Sequence, residues 1–393
     1  MMSKLLTRLY DIRSIYITGL LLAVGLALQS YYAPKKDFGT GDQIYTSYNN
    51  YLIFKNSFEH LTEEESLYIH YPKEQWDLYK YTPTFSLFMG VFNLFPDLFG
   101  LMLWNILNIL ILIWGISRLP LEDKRMMLWI FGFVFLELIT STQNTQSNAL
   151  ITGLVLAGYG LMTDRKFIPA IALIVFAAFI KPFAIFALIP LLFFPAWYQH
   201  FVMIIGFGMV YLLLPLIVTT GEYLIEAYSS WVDLLMMDHG DKIGYSVMGW
   251  LKTWFGLEVN KMFLLLLGLI SLMVPLARFK YYQSKYFQLN YLALVLIWMV
   301  IFNHMAESPT FIIAVTGVAI WFFESSKHAL DYILMGLVVV FTMLIATDLF
   351  PKSIRESIME PYAIKGVSCI LVYGKILWDL MTYESPRLVK KEV

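Results

Sequence analysis

Apolar segments follow one another along this chain with too little polar sequence between them for a water-soluble core to absorb. They fall near residues 15–31, 98–117, 126–141, 148–162, 167–180, 183–197, 200–218, 261–277, 289–302, 309–323, 329–347 and 363–381, twelve candidates for bilayer-crossing helices. Several are only 14 to 16 residues long. A perpendicular span needs ~20, so the pattern implies helices that tilt or locally thin the bilayer. With 59% hydrophobic and 15% charged residues, the chain reads as a polytopic membrane protein and not as a soluble enzyme. The expected fold class is all-α, one membrane domain over 1–393 with outer segments at 32–97 and 219–260. The single cysteine, Cys369, excludes a disulfide framework and a cysteine-based metal site. Lys4, Arg8 and Arg13 precede the first apolar run, which reads as an uncleaved span, because "LALQSYYA" is a poor small-x-small cleavage site.

The short apolar stretch between Pro83 and Pro96 decides which way the chain faces. Its twelve residues, Thr84 to Phe95, would rise roughly 18 Å as a helix, against about 30 Å of bilayer core. If it does not cross and the N-terminus lies inside, the inner segments and adjoining span ends carry 15 basic and nine acidic residues. The outer ones then carry 12 basic and 19 acidic residues. Crossing would move "RLPLEDKR", "TDRK" and "RFKYYQSK" outside and erase this bias. The stretch is therefore expected to lie in the outer interface or to re-enter. Both termini are placed in the cytoplasm, in a plasma (inner) membrane, with the active face extracytoplasmic.

Several outer features carry chemistry. In "GTGDQIYTSYNNYLIFKNSF", Asp42 is expected to cap an amphipathic helix whose apolar stripe is Ile44, Tyr48, Tyr51, Phe54 and Phe58. Asp37, Asp42 and Asp77 sit at the edge of this greasy surface. A carboxylate there holds its proton more tightly and can serve as a general base, or can simply be a cap or a solvated charge. "TSTQNTQSN", from Thr140 to Asn148, offers only hydroxyls and amides; it is either a polar turn or a surface for sugar hydroxyls. Lys181, in "AAFIKPFAIF", either snorkels to headgroups or holds a phosphate. Glu137 is a carboxylate inside an apolar run, functional or packed as a neutral acid. "DHGDKIGYSVMGWLKTWFG" predicts a second interfacial helix beginning near Tyr245, and "FNHMAESPTF" places His304 and Glu307 between spans. No metal-ligand spacing, phosphate-cradling glycine loop or nucleic-acid footprint is visible, so neither a cofactor nor a nucleic-acid partner is expected.

"DLYKYTPTFSLFMGVFNLFPDLFGLMLWNILNILIL" resembles the aromatic–Tyr–Pro–Pro segment and following helix of glycosyltransferase family 87, with Thr82 in place of the first proline. "TQNTQSNALITGLVLAGYGLMTDRKFIPAIALIVFAAFIKPFAIFALIPLLFF" is similar to that family's Gln–Asn turn, short helix pair and Lys–Pro, and "GYSVMGWLKTWFG" to its Asn–Gln–Ser–hydrophobic–Gly stretch. The likeness covers roughly residues 40 to 320. It implies a class C fold and an inverting transferase that takes a sugar, typically mannose, from a polyprenyl-phosphate carrier. The family's Asp–hydrophobic–x–x–Tyr register falls on Asn49–Asn50–Tyr51, and an amide cannot act as a base. Either Asp42, with Asp37 as rival, carries the role, or the activity differs or is lost. The resemblance supports Lys181 as the phosphate ligand, with Lys80 beside it, and leaves His304 nearest to the family's later histidine.

The expected enzyme binds its lipid-linked donor laterally from the membrane and its glycan or glycolipid acceptor from outside. Asn49, Asn50, Tyr81, Gln143, Asn144, Gln146, Asn148, His304 and Glu307 are the candidate sugar and acceptor contacts. The alternatives are a non-catalytic scaffold that binds a lipid-linked sugar, a glycan polymerase, and a lipid or solute transporter.

Overall fold

The computed structural model describes residues 12–37, 44–123, 125–237, 244–325, 327–347, 350–359 and 361–384. Asp42, the first-choice base, lies outside the described residues. Strand is confined, among those described, to β1 (Lys36–Asp37) and β2 (Ile44–Tyr45), an antiparallel pair that sets Lys36 against Tyr45 and Asp37 against Ile44. The first nine helices are α1 (Ile12–Tyr32), α2 (Asn49–Thr62), α3 (Pro83–Asn93), α4 (Asp97–Arg118), α5 (Arg125–Gln143), α6 (Asn148–Thr163), α7 (Phe167–Ile180), α8 (Trp197–Leu213) and α9 (Gly221–Met237). They are followed by α10 (Val247–Phe255), α11 (Lys261–Met273), α12 (Lys285–Ile301), α13 (Phe311–Glu324), α14 (Ala329–Leu337) and α15 (Ile364–Thr382). Among the described residues four helical stretches are long and apolar enough to cross a membrane: Ile12–Tyr32, Asp97–Arg118, Arg125–Gln143 and Trp197–Ile217. Seven shorter apolar helices accompany them.

The chain forms two compact units, one from Met1–Leu128, Ser141–Ile185 and Tyr198–His239, the other from Trp129–Thr140, Phe186–Trp197 and Gly240–Val393. In the first, α4 and α6 approach so closely that their glycines are obligatory. A Cβ on Gly115 would lie 2.4 Å from the carbonyl oxygen of Gly153, and one on Gly153 would lie 2.4 Å from that of Ile111. With little area to gain by helix association inside lipid, backbone-to-backbone packing of this kind supplies much of the attraction. Asn108 of α4 then accepts from the Leu150 amide at 3.0 Å, satisfying one of the amides left unpaired at the start of α6.

The amphipathic helix expected after the first span begins later than the sequence suggests. Ile44–Tyr45 is held in the β pair and α2 starts at Asn49 with Tyr48 in the cap position that the sequence suggested for Asp42. Tyr48, Tyr51 and Phe54 are buried as the stripe requires, whereas Ile44 is exposed. α3 is an 11-residue helix, with a rise of about 16 Å, too short to span by itself. Thr82, at the family's proline position, gives it a cap by accepting from the Phe85 amide.

In the second unit α12 and α13 are buried nearly all round and form its core. The helix expected to begin near Tyr245 is α10, capped by Ser246 and ended by left-handed Gly256. The run over 183–197, expected as a span, forms a 3-10 helix, Pro182–Phe193, in which Pro182 and Pro190 each lack an amide donor. Glu137 is fully buried and packs against Lys365, whose Nζ lies 2.9 Å from its Oε1.

Candidate active site

The amide-rich corner Thr140–Asn148 comprises the end of α5, a turn over 144–147 and the first residue of α6, and its turn docks onto the start of α2. Asn50 Nδ2 donates to the carbonyl oxygen of Asn144 at 2.9 Å, and the Tyr51 amide donates to Thr145 Oγ1 at 3.1 Å. Trp104 Nε1 donates to the Thr145 carbonyl at 2.9 Å. Thr145 has φ of +49°, a left-handed conformation that a β-branched residue adopts only under constraint. The two hydrogen bonds supply that constraint, and strain of this sort concentrates at functional sites.

Three further side chains reach the same turn. Gln143 Nε2 donates to Gln29 Oε1 of α1 at 3.0 Å. Tyr81 donates to Gln146 Oε1 at 3.3 Å. Lys181, immediately after α7, donates to Asn148 Oδ1 at 2.7 Å. Thr82 ties these approaches together by donating to the Phe179 carbonyl at 2.5 Å, which joins the Tyr81 segment to the end of α7. Beneath the corner lie the rings of Phe54, Phe85 and Trp104, with Phe54 4.9 Å edge-on to Tyr81 and 5.8 Å from Trp104. Asn144 is exposed and Asn50, Gln143, Gln146, Tyr81 and Lys181 are half-buried, so the turn offers amide and hydroxyl groups beside one ammonium. That set can hydrogen-bond a hydroxyl-rich ligand and bind an anion at its edge.

Other sequence candidates have different roles. Asn49 is buried and pairs with the backbone of Trp76. Asp37 is exposed in β1. Lys80 lies 3.9 Å from Asp77, and its carbonyl accepts from Trp231. His304 and Glu307 belong to the second unit, where His304 is half-buried and Glu307 exposed in the loop between α12 and α13.

Sequence reasoning passed over Asp97, which opens α4 and pairs with Lys55 at 2.6 Å. Burial first, then the Asp97 charge, pushes the Tyr48 phenol up to about 12 and raises Tyr51 as well. It also missed His60, stacked on Tyr71 at 3.8 Å and 3.1 Å from Glu74, a pairing that no fixed spacing announces.

The profile of glycosyltransferase family 87 matches residues 79–347. The chain belongs to that family. The match contains Lys80, Tyr81, the amide turn, Lys181, His304 and Glu307, and leaves Asp37, Asn49 and Asn50 before it. Membership makes the protein a membrane glycosyltransferase, acting on a sugar donor and an acceptor. No curated protein matches the chain.

Proposed function

We propose that this family 87 enzyme is an inverting transferase that moves mannose or another hexose from a polyprenyl-phosphate carrier to an extracytoplasmic glycan or glycolipid. The observation that carries the reading is the 2.7 Å contact between Lys181 Nζ and Asn148 Oδ1, which puts a cation beside the amide-rich corner. The prenyl tail lies in lipid and the phosphate meets Lys181, with Lys80 as its second cation. Gln143, Asn144, Gln146, Asn148, Asn50 and Tyr81 orient the sugar, and His304 and Glu307 meet the acceptor.

The acceptor oxygen attacks the anomeric carbon and its proton passes to a carboxylate, Asp42 or its rival Asp37. The bond from that carbon to the phosphate oxygen breaks, and the polyprenyl phosphate leaves with the electron pair, its charge met by Lys181. A single displacement inverts the carbon, so one base suffices. Twelve spans, both termini in the cytoplasm of an inner membrane and an outward-facing corner complete the proposal. They are supported by the basic inner and acidic outer segments.

Transfer of radiolabelled hexose from a synthetic polyprenyl-phosphate donor by the detergent-solubilised protein tests this reading. Unchanged turnover in Asp42→Asn, Asp37→Asn and Lys181→Ala would remove the site. The asparagines at 49 and 50 favour a second reading, a non-catalytic binder, which predicts donor binding without turnover.

A further inference from the structure

Lys365 opens α15 and is 2% exposed, while Glu137, inside α5, is 0% exposed. Lys365 Nζ donates to both carboxylate oxygens of Glu137, at 2.9 and 3.1 Å, and to Ser308 Oγ at 2.8 Å. An ammonium has three N–H donors, so these three bonds account for all of them. The Phe311 ring, 5.3 Å away, covers the cation.

Replacing a buried ion pair by apolar side chains of similar volume is often neutral or stabilising, so packing alone does not call for these charges. What apolar residues could not do is grip Ser308. This serine follows the loop that carries His304 and Glu307 and opens the 3-10 turn Ser308–Thr310 that leads into α13. The same loop is held from its side by the Tyr245 amide, which donates to the Ala306 carbonyl at 2.9 Å. A Cβ on Gly244 would lie 2.2 Å from the His304 carbonyl oxygen. One on Gly366, next to Lys365, would lie 2.5 Å from the Tyr245 carbonyl oxygen. The start of α15 thus backs both supports of the loop.

We infer that Glu137 and Lys365 are positioning residues, which hold the His304–Glu307 loop through Ser308 Oγ in the orientation from which it meets the acceptor. The acceptor part rests on the function proposed above; the holding of the loop does not. The test uses the full chain in lipid nanodiscs, with amide hydrogen exchange and, separately, sugar transfer as readouts. In Lys365→Met, exchange at Asn303, Met305 and Ala306 rises about tenfold or more while α12 and α13 keep their protection. Turnover with saturating donor falls by on the order of 10²-fold, with the donor KM unchanged.

The double variant Glu137→Met/Lys365→Met separates positioning from packing: it regains thermal stability, yet the loop stays open and transfer stays slow. Wild-type loop exchange in the double variant would overturn the inference, as would exchange that rises uniformly through the second unit. If Lys365→Met does not accumulate, Ser308→Ala removes the link alone and must still loosen the loop. If the wild type transfers no sugar, the proposed function fails while loop exchange still decides the positioning.

Discussion

Asn49 closes on Trp76 with both ends of its amide, Nδ2 donating to the Trp76 carbonyl at 2.6 Å and Oδ1 accepting from the Trp76 amide at 2.8 Å. A residue at the register where the family resemblance leads one to look for a base is therefore a backbone clamp between α2 and the segment that follows it. A carboxylate could make only half of this contact, since it has no N–H to give. Asn49→Asp is expected to lower stability by about 1–3 kcal/mol, with Asn49→Gln failing to rescue it because its extra methylene carries the amide past the Trp76 backbone. Thermal unfolding in detergent measures the difference; an Asn49→Asp protein as stable as wild type would refute the clamp.

Thr145 combines a left-handed backbone with two accepted hydrogen bonds. Thr145→Ala keeps the strain and loses the acceptor for the Tyr51 amide, at a cost of about 1–3 kcal/mol. Thr145→Gly loses the same acceptor but removes the Cβ penalty of ~1 kcal/mol, so it should be the milder change. Ranking the two unfolding temperatures checks the order.

Lys181 is placed to act as a point charge, and arginine does not substitute for a point charge on equal terms. Lys181→Ala is expected to lower kcat/KM for the lipid-linked donor by on the order of 10²-fold, and Lys181→Arg to recover part of that loss. Initial rates over a range of donor concentrations give the comparison, and equal values for all three proteins would exclude a role in donor binding or turnover.

Tyr48 is buried against the Asp97 charge and stacked on Tyr31 at 5.5 Å. Its phenol is pushed up to about 12 from 10.0, so the folded state favours the neutral form. The resulting stability is complete below pH 10 and is lost as the pH rises through 12. Stability should therefore fall on the alkaline side, less steeply in Tyr48→Phe, which has no proton to lose. Alkaline unfolding curves followed by phenolate absorbance test the sign.

Much of the helical frame was legible, because hydrophobic runs in lipid leave little choice but helix. The runs near 98–117, 148–162 and 167–180 became Asp97–Arg118, Asn148–Thr163 and Phe167–Ile180 with ends within a residue or so. The misreadings share a cause: a neighbour distant in sequence outweighed a local signal. Asp42 looked like a cap, but pairing of β1 with β2 delays α2 until Asn49. Glu137 looked alone in its apolar run because Lys365, its partner, lies 228 residues away. The corner itself was visible as a run of amides, yet its mounting on Asn50, Tyr51 and Trp104 was not, since nothing in that run names the residues that receive it.

The glycine seam between α4 and α6 has an engineering consequence. With backbone laid on backbone, there is no intervening side chain whose size could be traded to slide one helix along the other, so the platform beneath the amide corner has a single setting. A library confined to Gln143, Asn144 and Gln146 changes what the platform displays and leaves its mounting alone, which under the function proposed above makes those three positions the place to retune sugar choice.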